Sequence, residues 1–285
     1  MEVEEERHYA DPHPKRRLRI DAHRRMVVDG TIHRRLWLRD VLYKLKRIEI
    51  AKPGKYGRMI GDLGVTASLQ GFRVTEYLKR AQSETRIELN GGVAWFVKSP
   101  DYAQLTQAFS ELINPSGNFT FVYFSDDACF SRRTANGVEM YNLDISACDT
   151  SHGPSIFQSL IDLAPDPEVR DSLTRLVEQC KLPIRIIDHT NPKRRVRLRP
   201  LRPRLYSGST ITTAINNLAN LLICYAITSR PDLPIVDAAR MAGYNITVVA
   251  CQYPEDLQFL KHSPIRTIHG YYRPLINLGV VLRTI

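Results

Sequence analysis

The spacing of apolar residues changes period along the middle of the chain, and each change predicts a different element. In SPDYAQLTQAFSELI, Tyr102, Leu105, Phe109 and Leu112 recur every three or four residues, which predicts an amphipathic helix. Ser99 is its expected N-cap and Pro100 its first helical residue. Past NPSGN the period drops to two. Phe119, Phe121 and Tyr123 alternate in FTFVYFSDDACFS, a strand that runs into a turn at Asp126 and Asp127. Ala135 to Gly137 mark a second turn, and VEMYNLDISACD reads as the next strand. Two helices are expected over PSIFQSLIDL and DPEVRDSLTRLVEQC, the second with Val169, Leu173, Leu176 and Val177 on its inner face. An arginine-rich extended segment, PKRRVRLRPLRPRLY, leads to a long helix after SGS. A helix at IVDAARMAG and a strand at ITVVA complete an α+β pattern, a sheet carrying helices on one face.

Composition narrows the class. With 285 residues, 43% of them hydrophobic and 25% charged, the chain can bury a real core in one large domain or two modest ones. The net charge of +10 favours a polyanionic partner, nucleic acid first and an anionic membrane surface second. A basic protein kept soluble by its charge is the plainer reading. The dispersed Cys129, Cys148, Cys180, Cys224 and Cys251 form no C-x-x-C pair, so free thiols in a reducing compartment are expected. The charged start of the chain has no apolar core of a signal peptide. ITTAINNLANLLICYAIT is long and apolar, but Asn216, Asn217 and Asn220 interrupt it, which predicts a buried helix and no membrane span.

The sharpest chemical signal is SGSTITTAIN, which fits Ser-Gly-x3-Thr-x3-Asn at Ser207, Gly208, Thr212 and Asn216. At ordinary residue frequencies such a match arises roughly once in 10⁵ starting points. Thr212, Asn216 and Asn220 lie four apart and are expected as one polar stripe, with Ile211, Ile215, Leu218 and Leu222 as the apolar face. Gly208 lets the backbone before the helix approach a nucleotide closely. A core helix with incidental asparagines is the plainer alternative. The second signal is acidic: DISACD holds Asp144 and Asp149 at a strand end, and SDD holds Asp126 beside Asp127 at a hairpin tip. Each alone is ordinary solvated surface. In combination, the turn at Asn136–Gly137 is expected to bring Asp144 beside Asp126, and carboxylates from adjacent strands suit a divalent cation.

Together the Asp126–Asp127 hairpin, the Asp144-x4-Asp149 strand end and the Ser-Gly-x3-Thr-x3-Asn helix resemble motifs C, A and B, in that order, of viral RNA-dependent RNA polymerases. KPGKYGRMI resembles the basic fingers motif F, AARMAGYNITVV the helix and strand of motif D, and LQFLKH motif E, often Phe-Leu-Lys-Arg in the family. The common order is A, B, C. The order here, C-A-B, is similar to the permuted palm of birnaviruses and permutotetraviruses. The hairpin reads Ser-Asp-Asp where Gly-Asp-Asp is common, and YNITVVACQYPED lacks the lysine often found in motif D. The resemblance implies a right-hand polymerase palm, an antiparallel sheet with helices on one face, plus partial fingers and a largely missing thumb. Residues 1–35 would be a loose basic arm, 36–115 fingers-like, 116–265 the palm, and 266–285 the start of a thumb or a truncated end.

The resemblance also implies Mg²⁺-dependent nucleotidyl transfer from ribonucleoside triphosphates to an RNA 3′-hydroxyl, directed by a template. Asp126, Asp127 and Asp144 would be catalytic and hold two Mg²⁺ (or Mn²⁺) ions, Asp127 as a ligand or as a tuner behind the ligands. Asp149, Ser207, Gly208, Thr212 and Asn216 would bind the nucleotide, with Asp149 and Asn216 choosing ribose. Lys55 and Arg58, backed by Lys52, would meet the triphosphate. Arg195, Arg197 and Arg199 share a face if extended and suit RNA phosphates, a solvated loop being the alternative. Implied partners are an RNA template with a primer or nascent strand, ribonucleoside triphosphates, and a second polymerase subunit or a missing thumb; the implied location is host cytoplasm or virion. A reverse transcriptase-like enzyme, a silent RNA-binding palm remnant and one part of a divided polymerase are the alternatives. The Ser-Gly-x3-Thr-x3-Asn helix and Asp149 weigh against the first, and the intact acidic positions against the second.

Overall fold

The structure, a computed structural model, describes residues 41–45, 59–63, 85–188 and 190–282, with positions 71, 74, 75, 77, 78, 80 and 81 between them. In chain order the strands are β1 (Val41–Leu45), β2 (Met59–Asp62), β3 (Thr85–Leu89), β4 (Gly92–Phe96), β5 (Phe119–Phe124), β6 (Asp127–Thr134), β7 (Gly137–Ile145), β8 (Ile184–Ile187), β9 (Arg195–Leu198), β10 (Ile246–Cys251), β11 (His262–Arg266) and β12 (Tyr272–Ile276). The helices are α1 (Tyr102–Ile113), α2 (Cys148–Ser151), α3 (Pro154–Asp162), α4 (Pro167–Gln179), α5 (Thr212–Ser229), α6 (Ile235–Met241) and α7 (Leu278–Val281). They group into two units, each made of two stretches: Met1–Ala81 with His152–Thr212, and Gln82–Ser151 with Thr213–Ile285. Among the described residues, no helix is long and apolar enough to cross a membrane.

In the first unit, four strands run in the order β2-β1-β8-β9. β1 is antiparallel to β2 and parallel to β8, and β8 is antiparallel to β9. α3 buries Ile156, Phe157 and Leu160, and α4 buries Leu173, Leu176 and Val177, as the helical spacing predicts. Asp166 caps α4 by accepting the Val169 N–H at 2.9 Å, just before Pro167. β9 is the outer strand, exposed along its whole length; its arginines discourage pairing with a further strand.

The second unit is built on a six-stranded sheet, β10-β7-β6-β5-β4-β3. Every pairing is antiparallel except β4 with β5. A parallel pairing needs a crossover, and α1 supplies it. α1 packs Leu105, Phe109 and Leu112 against Trp95, Val122, Cys129 and Met140, so one face of the sheet carries this helix. The opposite face presents Phe121, Tyr123, Phe130 and Tyr141, with Phe121 and Tyr123 ring centroids 5.8 Å apart. α5 lies on that side: its Cys224 neighbours Tyr123, and its Thr228 accepts a 2.9 Å hydrogen bond from Asn90. The sheet thus carries helices on both faces, and the sequence pattern, which expects them on one, lacks the crossover.

α1 begins later than its sequence suggests. Ser99 sits at φ +45, and the N-cap is Asp101. The Asp101 carboxylate accepts the Gln104 N–H at 2.8 Å, and the Gln104 side chain accepts the Asp101 N–H at 2.9 Å. This reciprocal capping box satisfies two N–H groups, which Ser99 as the cap would not have done.

Candidate active site

β5, β6 and β7 form a meander whose turns fix where the carboxylates stand. Phe124 lies opposite Asp127, closing a two-residue turn at Ser125 and Asp126. Thr134 lies opposite Gly137, closing a second two-residue turn. Counting along that ladder puts Asp127 directly opposite Asp144. Cross-strand partners share a face, so these two carboxylates are neighbours, with Asp126 in the adjoining turn. The sequence reading paired Asp144 with Asp126; the direct partner is Asp127.

The Asp127 carboxyl is pushed up from 3.8 to about 6, chiefly by desolvation and then by the charges of Asp126 and Asp144. The Leu260 N–H, bonded to that carboxylate, and the Lys261 ammonium pull the other way. The Cys148 thiol is also pushed up, by burial first and then by Asp149, Asp126 and Asp144, so it stays protonated at neutral pH. Four carboxylates therefore act on one small region.

The β5–β6 turn has an unusual occupant. Ser125 has φ +56 while Asp126 does not enter the positive region, the pattern of a type II′ turn, whose first central position favours glycine. Three asparagines of α5 converge on this serine. Asn217 Oδ1 accepts its N–H at 2.7 Å, and Asn220 Nδ2 donates to its carbonyl at 2.6 Å. Asn216 Nδ2 lies 3.4 Å from its hydroxyl and 3.5 Å from an Asp149 carboxylate oxygen. Of the expected apolar face, Ile211 and Ile215 are buried and Leu222 is 45% exposed. Asn216 and Asn220 of the polar stripe are buried too, as is Asn217. The amides tolerate burial because they find partners on the turn.

Asp149 stands on α2, beyond the strand end where the sequence suggested it. β7 stops at Ile145, Ala147 takes φ +50, and the Thr150 N–H bonds the Ala147 carbonyl at 2.8 Å. Ser207, Gly208 and Thr212 belong to the first unit. There the Thr212 hydroxyl donates to the Tyr206 carbonyl at 3.1 Å, and Gly208 sits at φ +102. A Cβ at Gly208 would meet nothing closer than 3.5 Å, so the glycine is needed for its backbone angle. Arg195, Arg197 and Arg199 are exposed on and just after β9 of the same unit. Lys52, Lys55, Arg58 and the 1–35 arm lie outside the described residues.

One participant was missed. LQFLKH forms a two-residue turn in which Phe259 and His262 exchange both backbone hydrogen bonds at 2.9 Å, with Leu260 at φ +49 and Lys261 at φ +65. This turn brings the Leu260 N–H and the Lys261 charge to Asp127. Turns of this kind advertise themselves by Asn-Gly or Asp-Gly, and Leu-Lys carries no such signal.

Among the described residues, no group of three or more His, Cys, Asp and Glu side chains is arranged to hold a metal ion. A Mg²⁺ bound through one or two carboxylates plus substrate phosphates does not require such a cage. The donors at hand fit that class: all are hard oxygens, and their mutual repulsion at Asp127 is what a cation relieves.

No family model and no curated protein matches the chain. Solved structures do match. A chain of the birnavirus VP1–VP3 complex superposes with a TM-score of 0.57 at 11% identity, covering 81% of this chain and 35% of that one. The RNA polymerase VP1 from Infectious Pancreatic Necrosis Virus superposes with a TM-score of 0.53 at 12% identity, with the same coverages of 81% and 35%. At such identity the likeness is one of fold, and it spans about a third of each relative's length. In that sense, and with its C-A-B order of acidic and helical segments, this α+β chain has a fold similar to part of a birnavirus RNA polymerase.

Proposed function

We propose that this chain carries the catalytic palm of an RNA-directed RNA polymerase, transferring nucleotidyl groups from ribonucleoside triphosphates to an RNA 3′-hydroxyl. The observation that carries this reading is the register of Asp127 opposite Asp144, with Asp126 in the adjoining turn, on a sheet whose fold is polymerase-like. Asp126 and Asp144 would hold Mg²⁺, with Asp127 as a further ligand or as a tuner behind them. Bound there, the ions supply activation of the 3′-hydroxyl and stabilisation of charge at the α-phosphate. The Leu260 N–H and Lys261 offset in part the burial and the acidic neighbours that disfavour an ionised Asp127. Asn216 and Asp149, 3.5 Å apart, offer an amide and a carboxylate to the ribose 2′-hydroxyl. By the resemblance of their motifs, Ser207, Gly208 and Thr212 would bind the nucleotide, Lys55 and Arg58 its triphosphate, and Arg195, Arg197 and Arg199 RNA phosphates.

Primer extension on a primed RNA template tests this, with Mg²⁺ and either four ribonucleotides or four deoxyribonucleotides. Ribonucleotide incorporation that disappears in Asp144→Asn is the expected result. Incorporation of deoxyribonucleotides alone would identify a reverse transcriptase-like enzyme, and RNA binding without any incorporation would identify a silent palm.

A further inference from the structure

Ser125 stands at a position where a side chain is disfavoured. At φ +56 glycine sits at ease and serine does not, so something must hold the turn. The support comes from α5, 92 and 95 residues further along the chain. Asn217 and Asn220 take the N–H and the carbonyl of the same residue, at 2.7 and 2.6 Å. Each amide's orientation follows from the group it meets, because an N–H needs the oxygen and a carbonyl needs the nitrogen. Both asparagines are buried, at 7% and 1% exposure, in a helix whose remaining inward residues are mostly apolar. A buried amide that served packing alone would be replaced by an aliphatic residue at no loss. Two that read both backbone groups of one turn residue specify its conformation.

We propose that Asn217 and Asn220 are positioning residues: they lock the β5–β6 turn at Ser125 and thereby fix where Asp126 and Asp127 present their carboxylates. The functional half of this inference rests on the metal-binding reading of those aspartates. Neither asparagine touches the reacting atoms. They act through the turn, as groups behind a metal ligand act through the ligand.

The experiment measures Mn²⁺ binding by electron paramagnetic resonance, together with thermal unfolding, in Asn217→Ala, Asn220→Ala, Ser125→Gly and the double variant Ser125→Gly with Asn217→Ala. Each asparagine variant is expected to bind Mn²⁺ about 10-fold more weakly, the low end of losses seen when a ligand's supporting partner is removed. Adding Ser125→Gly to Asn217→Ala is expected to recover most of that loss, since glycine takes positive φ unaided. A lowered melting temperature with unchanged Mn²⁺ affinity would mean the amides serve stability alone and would overturn the proposal, as would a double variant no better than Asn217→Ala. If Asn217→Ala does not fold, the double variant decides: it folds and binds Mn²⁺ under the proposal and stays unfolded otherwise. If the unaltered chain binds no Mn²⁺, the metal reading fails instead. The lock is then judged by melting alone, where Ser125→Gly must offset the loss in Asn217→Ala or the lock is refuted too.

Discussion

Replacing Asp127 with asparagine should make the metal-free protein more stable at neutral pH, although it removes a residue of the proposed site. The carboxyl is raised from 3.8 to about 6 by desolvation and by Asp126 and Asp144. Its folded-state value lies above the unfolded one, so ionising it works against the fold. The penalty is absent below about pH 4, grows as pH rises towards about 6, and is complete above that. At about 1.4 kcal/mol per pH unit the ceiling is about 3 kcal/mol. Asp127 is an exposed residue, and solvent screening reduces the expected value to about 1 kcal/mol. Asparagine keeps the shape and an oxygen for the Leu260 N–H while deleting the charge. Thermal unfolding in EDTA at pH 8 should therefore place Asp127→Asn about 2–4 °C above the unaltered chain. The two should coincide near pH 4, and saturating Mg²⁺ should reverse the order by stabilising only the chain with the full acidic set. A variant that melts lower in EDTA at pH 8 would refute the reasoning, because the Leu260 N–H and Lys261 would then outweigh the like charges.

Other outcomes follow from the same geometry. Asp144→Asn should abolish nucleotide incorporation while circular dichroism shows the fold retained, since an exposed residue near a strand end loses only its charge; an unfolded variant would point to a structural role. Mn²⁺ affinity should fall as pH drops through about 6, where a proton displaces the cation from Asp127, and Asp127→Asn should remove that step. Asn216→Ala should lower ribonucleotide incorporation more than deoxyribonucleotide incorporation, because only ribose offers the hydroxyl that the amide would bind; equal losses would refute the assignment. Changing Arg195, Arg197 and Arg199 to Gln should flatten the salt dependence of single-stranded RNA binding, by roughly 0.7 in log–log slope for each phosphate that is no longer neutralised.

How much of this was legible beforehand depended on whether a feature was encoded locally. Alternation of Phe119, Phe121 and Tyr123, with a turn residue after each run, announced β5 and its neighbours. The Ser-Gly-x3-Thr-x3-Asn segment announced α5. The β3–β4 hairpin is equally legible: Asn90 and Gly91, at φ +48 and +79, are the Asn-Gly signature of a tight hairpin turn. What could not be read was tertiary in origin. A buried helix is predicted around Asn217 and Asn220, but nothing local shows that their amides meet the backbone of a turn far away in sequence. Leu260 and Lys261 take positive φ without glycine or asparagine, so no rule of turn chemistry pointed to the N–H that reaches Asp127.

The C-A-B order bears on how such a site can be assembled. The proposed chemistry requires the strand of Asp144 to lie beside the Asp-Asp hairpin, and that requirement is indifferent to the order in which the chain visits them. In this chain the two are consecutive: β6 leads to β7 through two residues, Ala135 and Asn136. The costly juxtaposition of like charges at Asp127 and Asp144 is imposed by a local hydrogen-bond ladder, with little loop entropy to overcome. Asn216, Asn217 and Asn220, by contrast, come from more than ninety residues away and meet the turn only when α5 docks. The permuted order thus divides the labour: local pairing brings the charges together, and long-range docking of a helix determines the angle at which the turn presents them.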